Sequence, residues 1–365
     1  RFGCDHGFPQ RTCDCRYGVC DGHRSDLPRQ LTLIDPSSPL TIGVGKLNAR
    51  KAMLQSLKFK DIYLGRNRAL LSGVPNTKDP VSAPAGTEED LAELRKECEA
   101  IEAVTSREEF PVRCGNVAYR ASVMQTLEER VYVLRRMPES ILKPEELSIH
   151  PGYVEKLTRP GLSGLVVVAG PFGQGKTTTV SSIVAARLCK FGGVGVTIED
   201  PPEMPLEGNH GEGVCYQTWA ERGEFGEACR KAARWAPSIL LIGEIREPEA
   251  AAEALRASIN GRLVFCTIHA DSVPMAIERI YSLAVGAIGN PEDAAGLLAN
   301  GLLAVMHQRL EGEPRKPKLE FLWLGEPDCA GVRNTIRQRK FDQVGNEVKA
   351  QLNRTLVHLP ASAKV

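Results

Sequence analysis

From residue 165 onward the chain alternates between short apolar runs and longer stretches of helical period. The runs at 165–169, 194–198, 239–242 and 263–268 carry almost no polar side chains. Strands covered on both faces read this way, and helices between them predict a mostly parallel sheet. Upstream the pattern differs. Residues 46–57 place Leu47, Met53, Leu54 and Leu57 at helical spacing. Residues 59–64 alternate like a strand, with 69–71 as its hairpin partner, and the three prolines of 75–86 mark a loop. Residues 88–103 set Leu91, Leu94, Cys98 and Ile101 on one helical stripe. Segments 110–124 and 130–136 read as strands of a half-buried sheet.

Strands and helices mix here without a βαβ rhythm, which predicts a small α+β domain over 29–137. Pro138, Pro144, Pro151 and Pro160 mark 138–160 as a linker, and the α/β domain occupies 161–350. Its last part, from Glu311, turns polar, with one short strand near 321–324 and a basic helix after Gly331. Residues 1–28 have no period and read as a disordered, Cys-rich tail; 351–365 read as a second tail.

Candidate chemistry gathers where the apolar runs end. Gly170, Pro171, Phe172, Gly173, Gln174, Gly175, Lys176, Thr177 and Thr178 follow the first run with the spacing of a phosphate-binding loop. Its glycines let backbone N–H groups close around phosphate oxygens. Lys176 would reach the outer phosphates and Thr177 a magnesium ion, and a helix over 178–188 would turn its N-terminus to the anion.

After the second run come Glu199 and Asp200, an acidic pair that suits magnesium or a positioned water and, seen alone, equally suits a solvated turn. The third run ends in Gly243 and Glu244, where a carboxylate can accept a hydrogen bond from an attacking water. The fourth ends in His269, placed to sense a γ-phosphate. Singly, such an acid or histidine is as often structural. In company with the loop they gain weight, because nucleotide sites in open α/β sheets collect at the carboxyl ends of strands.

Composition narrows the field. With 46 basic against 45 acidic residues the net charge is +1, and aromatics make up 5%, which gives little support for a nucleic-acid partner. No apolar run is long enough to span a bilayer and no signal peptide is visible, so the expected location is cytoplasmic; the start at Arg1 reads as a fragment or a mis-set start. Of 11 cysteines, Cys4, Cys13, Cys15 and Cys20 crowd the first stretch near His6 and His23, at a spacing unlike the usual zinc sites; no bound metal is expected there. The other seven read as small buried hydrophobes.

The four stretches together resemble the boxes of the secretion ATPase superfamily, which serves type II secretion, type IV secretion and type IV pili. In order they are the loop at 170–177, the acidic box at 197–203, the Walker B run at 240–246 and the histidine box at 261–271. The stretch Ala276-Ile-Glu-Arg-Ile280 fits the helix that follows. The likeness is nearest to the PilT-like retraction branch, through Val332-Arg-Asn-Thr-Ile-Arg337, His307-Gln-Arg-Leu310 and Leu319-Glu-Phe321; Lys60-Asp-Ile-Tyr-Leu64 is a degenerate form of its N-terminal motif. Thr335 and Gln338 depart from that branch, which leaves the direction of movement open.

The resemblance implies a RecA-like ATPase domain behind a PAS-like domain, a homo-oligomer in the form of a hexamer, ATP with Mg2+, and domain rotation driven by hydrolysis. It also implies docking on an inner-membrane platform protein. Arginines of the first domain would reach the nucleotide; Arg113, Arg120 and Arg135 are the candidates, with Arg135 placed by Val133-Leu-Arg-Arg-Met-Pro138. Two other classes remain: a nucleic-acid motor such as a helicase or packaging ATPase, and a subunit that binds ATP without hydrolysing it.

Overall fold

Two sheets carry the fold of a computed structural model that describes residues 53–105, 107–115 and 117–357. The cysteine-rich start and the first part of the helix expected over 46–57 lie outside the described residues.

The first sheet is built from α1 (Met53–Ser56), β1 (Asp61–Leu64), β2 (Ala69–Ser72), β3 (Val81–Ser82), α2 (Glu88–Glu102), β4 (Glu109–Cys114), β5 (Val117–Gln125) and β6 (Arg130–Arg136). Its strands run β3-β2-β1-β6-β5-β4, and every neighbouring pair is antiparallel. Period-2 alternation turns Ile62, Leu64, Phe110, Val112, Tyr119, Ala121 and Leu134 to one face, where α2 covers them with Leu94 and Cys98. The opposite face carries Arg120 and Arg135, which are direct cross-strand partners. The run read as one strand over 110–124 is two, because the chain reverses at Gly115, whose φ of 56° suits glycine.

Residues 138–160 contain a short helix, α3 (Pro151–Leu157). Seven residues are too few for a helix that stands alone. Burial holds it, since Ile149, Tyr153 and Leu157 join the core beneath the second sheet.

That sheet follows as β7 (Gly164–Ala169), α4 (Lys176–Phe191), β8 (Gly193–Glu199), β9 (Gly208–His210), β10 (Gly213–Trp219), α5 (Phe225–Arg234), β11 (Ile239–Ile242), α6 (Pro248–Ile259), β12 (Leu263–Ile268), α7 (Val273–Ile288), α8 (Pro291–Gly301), β13 (Leu302–Glu311), β14 (Lys316–Trp323), α9 (Ala330–Arg337) and α10 (Val344–Val357). The order is β14-β13-β7-β12-β11-β8-β10-β9. The six strands from β13 to β10 are parallel, and only the outer pairs β13–β14 and β9–β10 are antiparallel. Every residue of β7, β11 and β12 is buried, as the unbroken apolar runs predicted. Because β7, β8, β11 and β12 run the same way, their carboxyl ends share one rim.

Four strands escaped the sequence pattern: the two-residue β3 inside the stretch read as a loop, the three-residue β9, and β10 and β13. β10 mixes polar and apolar residues, and β13 continues straight from the apolar run of α8, where helix and strand periods are hard to tell apart. The expected tail beyond 351 begins inside α10, whose Gln351 exchanges hydrogen bonds with the backbone of Trp323 on β14. Arg333 and Arg337 close the end of α8: Arg333 donates to the carbonyls of Ala299, Asn300 and Leu324, and Arg337 to the Asn300 side chain. Of the seven cysteines after the first stretch, Cys189 is exposed and the others are buried as expected.

Candidate active site

The loop between β7 and α4 bends through Gly173 and Gly175 at φ of 70° and 75°, a backbone that turns successive N–H groups inward. Gly175 caps α4 and offers no side chain to its first N–H groups. A 16-residue helix thus opens with donors and a positive dipole end aimed at the loop's hollow, which is the chemistry of an anion site. Lys176 is 7% exposed, and its ammonium donates to the carbonyls of Gly170 and Pro171 at 2.9 Å each. Burial pulls its pKa down. A phosphate would give this buried charge the partner that loop carbonyls only partly supply.

Phe172 is exposed, with its ring stacked on His269 at 5.9 Å between centroids. Thr178 turns its hydroxyl toward the Met204 sulfur. Gln174 lines the same cleft as Phe172 and Thr178, and its side-chain oxygen accepts from the Leu310 N–H at 2.7 Å.

The acids divide by environment. Glu199 is 2% exposed and accepts from Gln217 Nε2 at 2.9 Å; burial pushes its pKa up. Asp200 is exposed and accepts from Trp219 Nε1 at 3.3 Å. Glu244 stands one glycine beyond β11, and a Cβ on that glycine would lie 3.0 Å from the Glu199 side chain, so the two acidic strand ends approach closely. One Glu244 oxygen lies 3.1 Å from His269 Nε2, and the other accepts from Arg246. Burial lowers the pKa of His269 while Glu244 opposes that shift; the direction is down, toward a neutral imidazole at pH 7.

Across from these groups stand the arginines. Arg135 holds Asp61 through Nε at 2.8 Å and Nη2 at 3.3 Å. Arg120 pairs with Glu109 at 3.2 Å and with Glu203, from the loop after β8, at 3.4 Å. Arg120, Arg135, Lys176, Glu203, Glu244 and His269 line one cleft of about 350 Å³. A second cavity of about 440 Å³ opens beside it, lined by Thr177, Glu199, Asp200, Glu203, Glu244 and Arg246. Arg113 is not brought in. It shares the arginine face but sits on β4 opposite Ala118, away from the cleft. Arg136, which had no assigned role, lines the cleft yet spends its guanidinium on the carbonyls of Gln55 and Leu57 and on Glu139. Glu203 and Arg246 lay inside the boxes already marked in the sequence; Gln217 gave no signal.

A phosphate loop after a buried parallel strand, with acids and a histidine closing the neighbouring strands, defines a RecA-like P-loop fold. The chain belongs to the family described as Type II/IV secretion system protein, which matches over residues 106–320. Its sequence is 30% identical to the Twitching motility protein of Neisseria gonorrhoeae across 65% of this chain and 63% of that protein. It is 33% identical to the type IV pilus retraction ATPase PilT of Pseudomonas aeruginosa, across 60% of this chain and 62% of the relative. The assembly ATPase PilB of Thermus thermophilus is 30% identical, with 60% of this chain covered and 25% of the relative. The chain therefore spans less than two thirds of the length of these curated relatives. Among solved structures, that of the pilus retraction motor PilT with bound ADP superposes with a TM-score of 0.66 at 26% identity, covering 80% of this chain and 86% of that one. The Legionella pneumophila ATPase DotB, at 20% identity and a TM-score of 0.63 over 80% of this chain and 84% of that one, supports the fold alone.

Proposed function

We propose that the chain is an ATP-hydrolysing motor subunit for type IV pilus dynamics or for type II or type IV secretion. The observation that carries this reading is the meeting of three groups in one cleft: the buried Lys176 in its glycine loop, the Glu244–His269 pair, and Arg120 with Arg135 from the other sheet. Lys176 and the α4 N-terminus hold the phosphates. Glu244 orients the attacking water and His269 reads the state of the terminal phosphate. Mg2+ on Thr177, with Asp200 at hand, would neutralise phosphate charge. Transfer to water needs little covalent help from the protein, so positioning and charge stabilisation provide most of the acceleration.

In this reading the subunits form a ring, taken to be a hexamer, at the cytoplasmic face of a membrane. The ring works on an inner-membrane platform protein by rotating one sheet's domain against the other. Among the described residues no helix is long and apolar enough to cross a membrane, so membrane contact would run through that partner. Phosphate release from ATP, abolished by EDTA, is the expected result. A protein that binds ATP and releases none is a switch rather than a motor, and tight filter binding of labelled DNA would favour a nucleic-acid motor.

The histidine sets a pH test. Protonation of His269 would turn its existing contact with Glu244 into an ion pair, so the carboxylate's charge is spent on the imidazolium rather than on polarising a water. Since burial holds His269 below the ordinary histidine value of 6.5, its protonation belongs to the acid side of that pH. Turnover is expected to be flat at neutral pH and to fall below 6.5. His269→Asn should remove that limb and leave any due to the raised pKa of Glu199. A parent limb centred above 6.5 would contradict the assignment.

A further inference from the structure

Strand β13 pairs with β7 in parallel, with His307 opposite Ala169, so the next residue, Gln308, lies beside the start of the phosphate loop. Gln308 is 1% exposed, and its side-chain amide bonds at both its oxygen and its nitrogen to the loop and its helix. Its Oε1 accepts from the Thr179 hydroxyl at 2.7 Å, in the first turn of α4. Its Nε2 donates to the Gln174 carbonyl at 2.6 Å. Its own carbonyl presses on Gly170, where a Cβ would come within 2.3 Å. Two residues on, the Leu310 N–H donates to the Gln174 side chain at 2.7 Å. The arm between them, Arg309, donates to the Asp271 carbonyl at 3.3 Å, in the loop that follows His269.

We propose that Gln308 is a positioning residue for the phosphate loop, and that the end of β13 is the brace that keeps the loop open for phosphate. The proposal rests on the nucleotide site described above. Two facts make it more than packing. A buried amide is costly to leave unpaired, and Gln308 finds a partner for its oxygen and one for its nitrogen on both sides of the hollow: the helix at Thr179 and the loop at Gln174. With the loop's glycines free to take many backbone shapes, such a clamp removes entropy that phosphate would otherwise have to remove on binding. The clamp touches no group assigned to water or to the γ-phosphate, so it should act on affinity and leave the chemical step nearly alone.

Gln308→Leu keeps the volume and deletes both hydrogen bonds. In the full chain it should weaken binding of fluorescently labelled ADP by about tenfold or more, as expected for two lost hydrogen bonds. The KM for ATP should rise in step, with kcat at saturation within about threefold of the parent. Gln308→Glu keeps the acceptor for Thr179 but sets a carboxylate oxygen against the Gln174 carbonyl; it should bind ADP no better than Gln308→Leu. Thr179→Val removes one arm only and should fall between parent and Gln308→Leu. If Gln308→Leu unfolds, Thr179→Val decides, and parent-like ADP affinity in that variant overturns the brace. Parent-like affinity in a folded Gln308→Leu, or a loss confined to kcat, overturns it as well. A parent chain that itself binds no nucleotide would instead overturn the functional reading of the site.

Discussion

Glu244→Gln is expected to cut ATP turnover by on the order of 100-fold or more while leaving nucleotide affinity close to the parent's. The substitution keeps the size and the placement of the side chain one glycine beyond β11. What it removes is the charge and the second acceptor that orient a water. Glu244 already holds His269 at 3.1 Å and Arg246 on its other oxygen, so it is fixed before substrate arrives. Fixed acceptors are effective in catalysis because they need no reorganisation during the step.

Lys176→Ala should behave in the opposite sense, losing nucleotide binding itself. Its ammonium is the buried charge at the loop, held by two carbonyls at 2.9 Å. Single-turnover phosphate release and equilibrium ADP binding separate the two outcomes. A Glu244→Gln protein that hydrolyses ATP like the parent would remove Glu244 from the role given to it.

Arg135→Ala should cost turnover by roughly 10³-fold, the scale of an arginine finger, with the fold and most of the ATP affinity intact. Arg135 sits on the exposed face of the first sheet, 60% of its side chain open to solvent, and is aimed by the buried Asp61 through two hydrogen bonds. Because the loss of Arg135 also leaves the buried Asp61 carboxylate without its partner, a thermal melt of Arg135→Ala separates any cost in stability from the cost in turnover. In a ring the arginine over a given ATP comes from the same chain or from a neighbour. Mixing Arg135→Ala chains with Glu244→Gln chains distinguishes these. Action across the interface restores part of the activity, because some mixed interfaces join an intact arginine to an intact acid. Action within one chain leaves the mixture inactive. Unchanged turnover in Arg135→Ala, from a protein that stays monomeric with ATP, would count against both the finger and the ring.

Residue order alone located the glycine loop, Glu199, Glu244 and His269 at the ends of strands, for a physical reason that is local. Each closes a strand buried on both faces, and such strands announce themselves as short unbroken apolar runs whose carboxyl ends share one rim. The first sheet's helix and most of its strands were legible in the same way, by period. Period alone sets Arg113 and Arg120, seven positions apart, on opposite faces of the single strand read over 110–124; the reversal at Gly115 is what brings Arg113, Arg120 and Arg135 to one face.

Only the packing of the two sheets selected Arg120 and Arg135 for the cleft and left Arg113 outside it. Tertiary burial likewise made a helix of residues 151–157 inside a stretch that its prolines marked as a linker. The brace on the phosphate loop was the least legible of all. Gln308 and Gln174 are separated by 134 positions, and no local pattern ties them. They meet because β13 adds to the sheet beside β7, a pairing that side-chain burial and backbone hydrogen bonding settle across the whole domain.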